Sequence, residues 1–310
     1  MISIVIISKD ESDLDDTLAD VTSEINSFSE PCEIVVVDAS SGRLDCIRRR
    51  HEAVVRWVDF KQPPGVLVSI PHQRNVGVRE ARGEIIVFTD AGCRPRPGWL
   101  SRLVTPLFEG EDVATGTCKD ASGERRYEGR YEFRRERYGR VTYLNEAGTN
   151  NLALVREVFD KVGGFDENLQ YGGDMDFSWR LVDIGFRIRS VPDAIVEHDW
   201  GTARRQRRRS YMYGKARARL YRKHRSRLKK VLRNDPMVVL NPLFLLGLPI
   251  TLVFPLYPLL LLIPAWWNRH RGVVGAGRAV VDHLCYGAGV LQEIAISRVD
   301  VRQSQLGGGR

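Results

Sequence analysis

The chain has 310 residues, 43% hydrophobic and 28% charged, with 47 Lys+Arg against 39 Asp+Glu. That composition excludes a disordered tail, a collagen-like chain and a small disulfide scaffold, and supplies enough apolar side chains for a sizeable core. The five cysteines are odd in number, scattered and without a CxxC pair, which indicates neither a zinc site nor a disulfide framework and points to a reduced, cytosol-facing setting.

The first two hundred residues alternate strand and helix. Residues 2–7 are continuously apolar and β-branched, without the basic n-region and cleavage site of a signal peptide, and read as a strand covered on both faces. Asp10, Glu11 and Ser12 follow as a turn. Leu14, Leu18, Val21, Ile25 and Phe28 then recur on one helical face. Further strands are expected at 33–37 (ending at Asp38), 53–60, 84–89 (ending at Asp90) and 113–118. Helices are expected at 70–82 and 97–109. This succession predicts an α/β fold with a mainly parallel sheet and right-handed crossovers. Ligands of such sheets sit beyond the carboxyl ends of the strands, where Ser8, Asp10, Glu11, Asp38 and Asp90 gather. No GxGxxG or P-loop follows the first strand, which speaks against dehydrogenases and ATPases.

The positive charge is local. Between Arg204 and Arg233 there are 15 Lys/Arg and no acid, so the remaining residues carry 32 basic against 39 acidic groups. Residues 237–267 then run without a charge but include five prolines. A spanning helix needs about 20 apolar residues, so this stretch is either one kinked span, roughly 243–263, or a re-entrant hairpin. Basic residues beside an apolar run favour apposition to anionic membrane lipid, with the acidic-leaning body on the cytoplasmic side of the cell membrane. Few aromatics interleave the basic run and no reading motif is present, so no nucleic-acid partner is expected. Within the run, 217–230 is expected to dock on the membrane. Residues 273–296 read as an interfacial amphipathic helix, and 303–310 as a loose tail.

Several ordered motifs resemble the family 2 glycosyltransferases and their GT-A, nucleotide-diphospho-sugar transferase fold, over about 2–214. Val5-Ile6-Ile7-Ser8-Lys9-Asp10-Glu11 is similar to the family's donor-binding entry. Val36-Val37-Asp38-Ala39-Ser40-Ser41 resembles its Val-Asp-Asp-x-Ser element. Gln73-Arg74-Asn75-Val76-Gly77 with Ala81-Arg82-Gly83-Glu84 resembles its Arg-Asn-x-Gly…Ala-x-Gly-Glu stretch, and Thr89-Asp90-Ala91-Gly92 stands in place of its Asp-x-Asp metal motif. The resemblance implies donor binding by Ser8, Asp10, Glu11, Asp38 (accepting a base N–H), Arg74 (on the nucleotide or its diphosphate), Asp90 and Ala91. It also implies Mg²⁺ or Mn²⁺ on Asp90 and His198, although Gly92 replaces the second Asp.

Gly148-Thr149-Asn150-Asn151, Gly163-Gly164-Phe165-Asp166-Glu167 and Gly172-Gly173-Asp174-Met175-Asp176 through Arg180 resemble the acceptor half. They imply acceptor contacts from Asn151, Gly164, Phe165, Asp166 and Trp179, and a catalytic base at Asp174; Gly173 replaces the family's Glu. Helix geometry agrees on the base: Asp174 and Asp176 point about 200° apart, and Asp176 reaches Arg180 one turn on. The implied activity is inverting transfer of a sugar from a nucleotide-diphospho-sugar to a lipid-linked or glycan acceptor, in a cleft between Asp38, Asp90 and Asp174. Transfer to polyprenyl phosphate and non-catalytic nucleotide-sugar binding are the alternatives. The implied layout is a catalytic domain at 1–200 (donor half to about 118, acceptor half 119–200), a basic juxtamembrane helix at 201–235, the apolar segment at 236–268 and the amphipathic end at 269–310.

Overall fold

The computed structural model describes residues 1–66, 69–120, 136–138, 141–199 and 202–307. It divides into two compact units, Met1–Asp199 and Trp200–Arg310.

The first unit is built on one ten-stranded sheet: β1 (Ile2–Ser8), β2 (Cys32–Asp38), β3 (Val55–Asp59), β4 (Ile85–Asp90), β5 (Cys93–Pro95), β6 (Val113–Asp120), β7 (Glu136–Tyr138), β8 (Val141–Leu144), β9 (Leu152–Val155) and β10 (Ile188–His198). The order is β3-β2-β1-β4-β9-β6-β10-β8-β7, with β5 on β10. β3, β2, β1 and β4 run parallel, as the strand–helix alternation predicts. The winding direction reverses between β1 and β4, which makes their carboxyl ends a topological switch point.

The expected mainly parallel sheet is corrected to a mixed one. β9 is antiparallel to both β4 and β6, and β10 is parallel to β6 but antiparallel to β5 and β8. A helix follows each of the first three strands and carries the crossover to the next, whereas only a 3₁₀ turn lies between β8 and β9. β9 also lies between β4 and β6, so the expected donor and acceptor halves share a single sheet.

Side chains alternate along the strands into two cores. Ile2, Ile4 and Ile6 join Ile34 and Val36 on the face covered by α1 (Leu14–Asn26) and α4 (Trp99–Phe108). Val5, Val35 and Phe88 face the other way, under α3 (Ile70–Glu80), α5 (Arg156–Val162) and α6 (Gly173–Asp183). A short helix, α2 (Asp45–His51), escapes sequence reading because only Ile47 on it is buried.

Buried charges fasten the helices. Glu24, on α1, accepts from the Gly98 and Leu100 N–H groups at 2.8 and 2.9 Å, satisfying two donors at the start of α4. The Arg156 guanidinium reaches the carbonyls of Val78, Ala81 and Gly83 at 2.8–3.0 Å, closing the end of α3. Gly83 in the Ala-x-Gly-Glu motif is required by packing: a Cβ there would lie 2.7 Å from the Ser3 nitrogen and 2.8 Å from the Met1 carbonyl oxygen.

The second unit contains α7 (Ala203–Lys223), α8 (Val231–Asn234), α9 (Met237–Leu246), α10 (Leu262–Trp267) and α11 (Gly272–Gly307). α7 and α11 touch backbone to backbone: a Cβ on Gly214 would overlap the Tyr286 carbonyl, and one on Gly289 the Tyr211 carbonyl. Buried Glu293 of α11 accepts from Arg219 (2.8 Å) and Arg222 (3.0 Å), and Asp235 from Arg217 (2.7 Å). These three arginines of the expected docking run therefore hold the unit together.

No helix among the described residues is long and apolar enough to cross a membrane. The stretch 243–263, expected as one kinked span or a re-entrant hairpin, is not one continuous helix: α9 stops at Leu246, two 3₁₀ turns follow (Leu248–Leu252 and Tyr257–Leu261), and α10 starts at Leu262. Pro249, Pro255 and Pro258 lack the N–H groups a continuous helix needs. α11 continues through the stretch expected to be a loose tail as far as Gly307; 308–310 lie outside the described residues.

Candidate active site

Three neighbouring strands end in polar residues at the switch point. Ser8 on β1 pairs in register with Asp38 on β2, and Ile7 with Asp90 on β4. Adjacent strands lie about 4.8 Å apart, so Asp38 and Asp90 flank the end of β1. Asp38 is buried, and its Oδ1 accepts from both the backbone N–H (3.1 Å) and the hydroxyl of Ser40. Burial pushes the Asp38 carboxyl above the usual carboxylate range, and the Ser40 hydrogen bonds only partly oppose it. Ser8 Oγ is buried beside it without a hydrogen-bond partner.

Asp10 and Arg43 close over this edge. Both are exposed, yet they form a bidentate pair at 2.6 and 3.0 Å, and the Asp10 N–H donates to Ser40 Oγ at 2.7 Å. Arg43 holds the Asp10 carboxyl below its ordinary range. Asp10 and Ser41 both take positive φ, +61° and +53°, which non-glycine residues rarely adopt. Arg43 and Ser40 are site residues that sequence reading did not single out; Ser40 stood inside the quoted motif, whereas nothing marked Arg43. Glu11 is half-buried, with its carbonyl accepting from Leu14 N–H at the start of α1.

Arg74 on α3 is buried and donates to both oxygens of Asp90, at 2.9 and 3.2 Å. Its guanidinium carbon also lies 5.7 Å from the Phe165 ring centroid. Phe165 packs on Phe177 of α6 (4.6 Å between centroids). A continuous line of contacts thus runs from the end of β4 to the helix that carries Asp174. Asn75, next to Arg74, clamps the same loop, with Nδ2 on the Phe165 carbonyl and Oδ1 accepting the Phe165 N–H, both at 2.9 Å.

α6 separates the two carboxylates as helix geometry predicts. Asp176 is fully buried and accepts from Arg180 at 2.8 Å. Asp174 is half-buried in the first turn, and its Oδ1 accepts from the Met175 N–H at 2.9 Å. The positive end of the helix dipole favours a carboxylate there.

The residues expected to touch the acceptor are engaged within the fold. Asn151 is 1% exposed; its amide accepts from Trp99 Nε1 and donates to the carbonyls of Thr117 and Ala194, all at 2.9–3.0 Å. Phe165 and Trp179 are buried, the latter donating to Glu146 at 2.7 Å. Gly164 takes φ +71° and gives its carbonyl to Arg180; Asp166 accepts two bonds from Asn168. Of the five positions, only Asp166 keeps an appreciable surface. Asn151→Leu should therefore lower the unfolding free energy by at least about 2 kcal/mol, because the buried Trp99 N–H and two carbonyls lose their partner. Urea melts check this; an unchanged midpoint with lost activity would return Asn151 to the acceptor site.

Among the described residues, no group of three or more His, Cys, Asp or Glu stands ready to hold a metal ion. His198 Nδ1 lies 3.1 Å from the Gly92 carbonyl, which joins the end of β10 to the turn after Asp90. Gly92 takes φ +84°, a conformation that disfavours Asp at the second motif position. A divalent cation takes six or more ligands. One resting on Asp90 and His198 would draw the rest from a diphosphate and water, and both oxygens of Asp90 are already engaged by Arg74. Ala91 donates its N–H to the Ile7 carbonyl at 3.2 Å, fixing this turn against β1. A hollow of about 700 Å³ opens beside the turn, lined by Asp13, Asp16, Gly92, Arg94, His198 and Asp199 among others. Asp38, Asp90 and Asp174 do not line it, so it is not the cleft expected between those three.

The family models agree with this architecture. Residues 3–156 match the model of glycosyl transferase family 2, and 116–270, half of the chain, match that of glycosyl transferase family group 2. The chain belongs to glycosyl transferase family 2. It is 31% identical over 145 residues to the pre-mycofactocin glycosyltransferase of Mycobacterium tuberculosis, covering 42% of this chain and 30% of that protein. It is 30% identical over 141 residues to glycosyltransferase AglE of Haloferax volcanii, covering 40% and 42%. The chain thus spans less than half the length of these relatives. The mannosyltransferase PcManGT of Pyrobaculum calidifontis, solved with GDP-Man and Mn²⁺, shares the fold: TM-score 0.62, 16% identity, covering 91% of this chain and 85% of that one.

Proposed function

We propose that this chain transfers a sugar from a nucleotide-diphospho-sugar to a hydroxyl of a lipid-linked or glycan acceptor at the cytoplasmic face of the cell membrane, with inversion at the anomeric carbon. The observation that carries the reading is the convergence of Ser8, Asp38 and the Arg74–Asp90 pair on one sheet edge, tied through Phe165 to α6. Asp38 and Ser8 receive the base, Arg74 faces the diphosphate, and Asp174 receives the acceptor's proton. The acceptor oxygen forms a bond to the anomeric carbon as the bond to the diphosphate oxygen breaks, and the nucleoside diphosphate departs with that electron pair. Asp174 holds the proton lost by the acceptor. Mg²⁺ or Mn²⁺, when bound at Asp90 and His198, would supply positive charge to the leaving group. The Mn²⁺ and GDP-Man bound to the Pyrobaculum mannosyltransferase support a metal and a nucleotide-sugar donor.

Titration with UDP-, GDP- and dTDP-sugars, with and without Mn²⁺, tests this. One donor class is expected to bind; binding by none would end the reading. Asp38→Asn adds a sharper result. Asp38 Oδ1 already serves Ser40, so Asn keeps that oxygen and turns an N–H donor where the base N–H needs an acceptor. Donor affinity should fall at least ~10-fold. The raised Asp38 carboxyl contributes stability below its unfolded value and loses it as pH rises through its folded value, so ionised Asp38 is a cost at neutral pH. The variant should therefore melt no lower than the parent at pH 7.

A further inference from the structure

All but five of the exposed large hydrophobic side chains among the described residues lie beyond residue 199. They are densest in 240–267, and Leu252 and Val253 are 88% and 89% exposed. This stretch folds back on itself: Tyr257 donates its hydroxyl to the Phe244 carbonyl at 3.0 Å, and the two rings stack with centroids 5.2 Å apart. The tip of the resulting hairpin is the 3₁₀ turn Leu248–Leu252 and the residues just after it. Exposed basic residues stand on both flanks, Lys229, Lys230 and Arg233 before it and Arg269 after it. Arg269 also lies over the Trp266 ring, 4.1 Å from its centroid.

We infer that this hairpin is a monotopic wedge that enters one leaflet of an anionic phospholipid bilayer and leaves by the same side. Three observations set the occupant and the depth. The tip is uncharged and apolar, so it is suited to acyl chains. Both flanks are basic, so both suit phosphate headgroups. The ten residues of α9 rise about 15 Å, half the roughly 30 Å hydrocarbon thickness. The prolines leave turns whose backbone groups are not all paired along a helix, which is tolerable at the interface and costly at the bilayer centre. Trp266 and Trp267, both exposed beside Arg269, take the headgroup boundary. This inference does not depend on the sugar-transfer reading.

Flotation of the full chain with vesicles tests it. The chain should float with phosphatidylglycerol-containing vesicles, float less with phosphatidylcholine alone, and stay bound in high salt. Leu252→Glu with Val253→Glu alters two almost wholly exposed side chains, so helix content should be unchanged while the salt-resistant bound fraction falls at least ~10-fold. Protease added outside the vesicles should leave no fragment protected inside. Complete release by salt would reduce the contact to surface electrostatics and overturn the wedge. So would protected fragments on the far side, or a detergent-free homodimer that buries the hairpin and ignores vesicles.

Discussion

Asp174→Asn is expected to keep donor affinity and lose at least ~100-fold in turnover, measured as nucleoside diphosphate released in the presence of acceptor. The substitution is chosen to spare the fold. Asn retains the oxygen that accepts the Met175 N–H in the first turn of α6. The charge is lost at a site where a carboxylate near a helix N-terminus contributes about 0.3–1 kcal/mol. What disappears is the lone pair that takes the acceptor's proton. Near-normal turnover would remove Asp174 from the base role and favour an acceptor that needs no deprotonation, such as a phosphate. Loss of donor binding together with turnover would place Asp174 on the donor instead.

Arg180→Met should cost stability rather than chemistry. Asp176 is fully buried, and Arg180 supplies its 2.8 Å ion pair while also holding the Val162 and Gly164 carbonyls at 2.6 Å. Removing one partner of a buried pair typically costs about 3–5 kcal/mol, because the other charge is left in a low-dielectric interior. For a unit of about 200 residues this is a fall in Tm of roughly 6–20 °C. The loop that carries Phe165 should loosen as well, since Arg180 and Asn75 are its two clamps. Thermal melts followed by circular dichroism check the first effect. A Tm within a degree of the parent would show that the pair is solvated and that Asp176 is not a structural residue.

The donor edge was largely legible in the sequence. The β-branched run at 2–7, the acidic residues closing the second and fourth strands, and the helical face from Leu14 to Phe28 each depend on neighbours close along the chain. Period and turn chemistry record such relations directly. The i,i+4 pair of Asp176 and Arg180 was readable for the same reason, since one helical turn is a local distance. The acceptor half was not readable in this way. Asn151, Phe165 and Trp179 carry the residue types of a binding surface, but their partners Trp99, Ala194, Phe177 and Glu146 lie 12 to 52 positions away. Only the assembled sheet shows that their polar atoms and rings are already engaged.

The α/β class, the four parallel strands, the polar residues at their carboxyl ends and the apolar segment after the basic run all follow from the amino-acid order. Packing reveals that the sheet is mixed, that Arg43 pairs with Asp10, that Arg74 joins Asp90 to the loop before α6, and that the apolar segment is a hairpin of short turns. Hydrophobic period and spacing encode which face of an element is covered. Which distant side chain meets which buried polar group is settled only when the elements pack, because the cost of leaving such a group unpaired arises only in the folded interior.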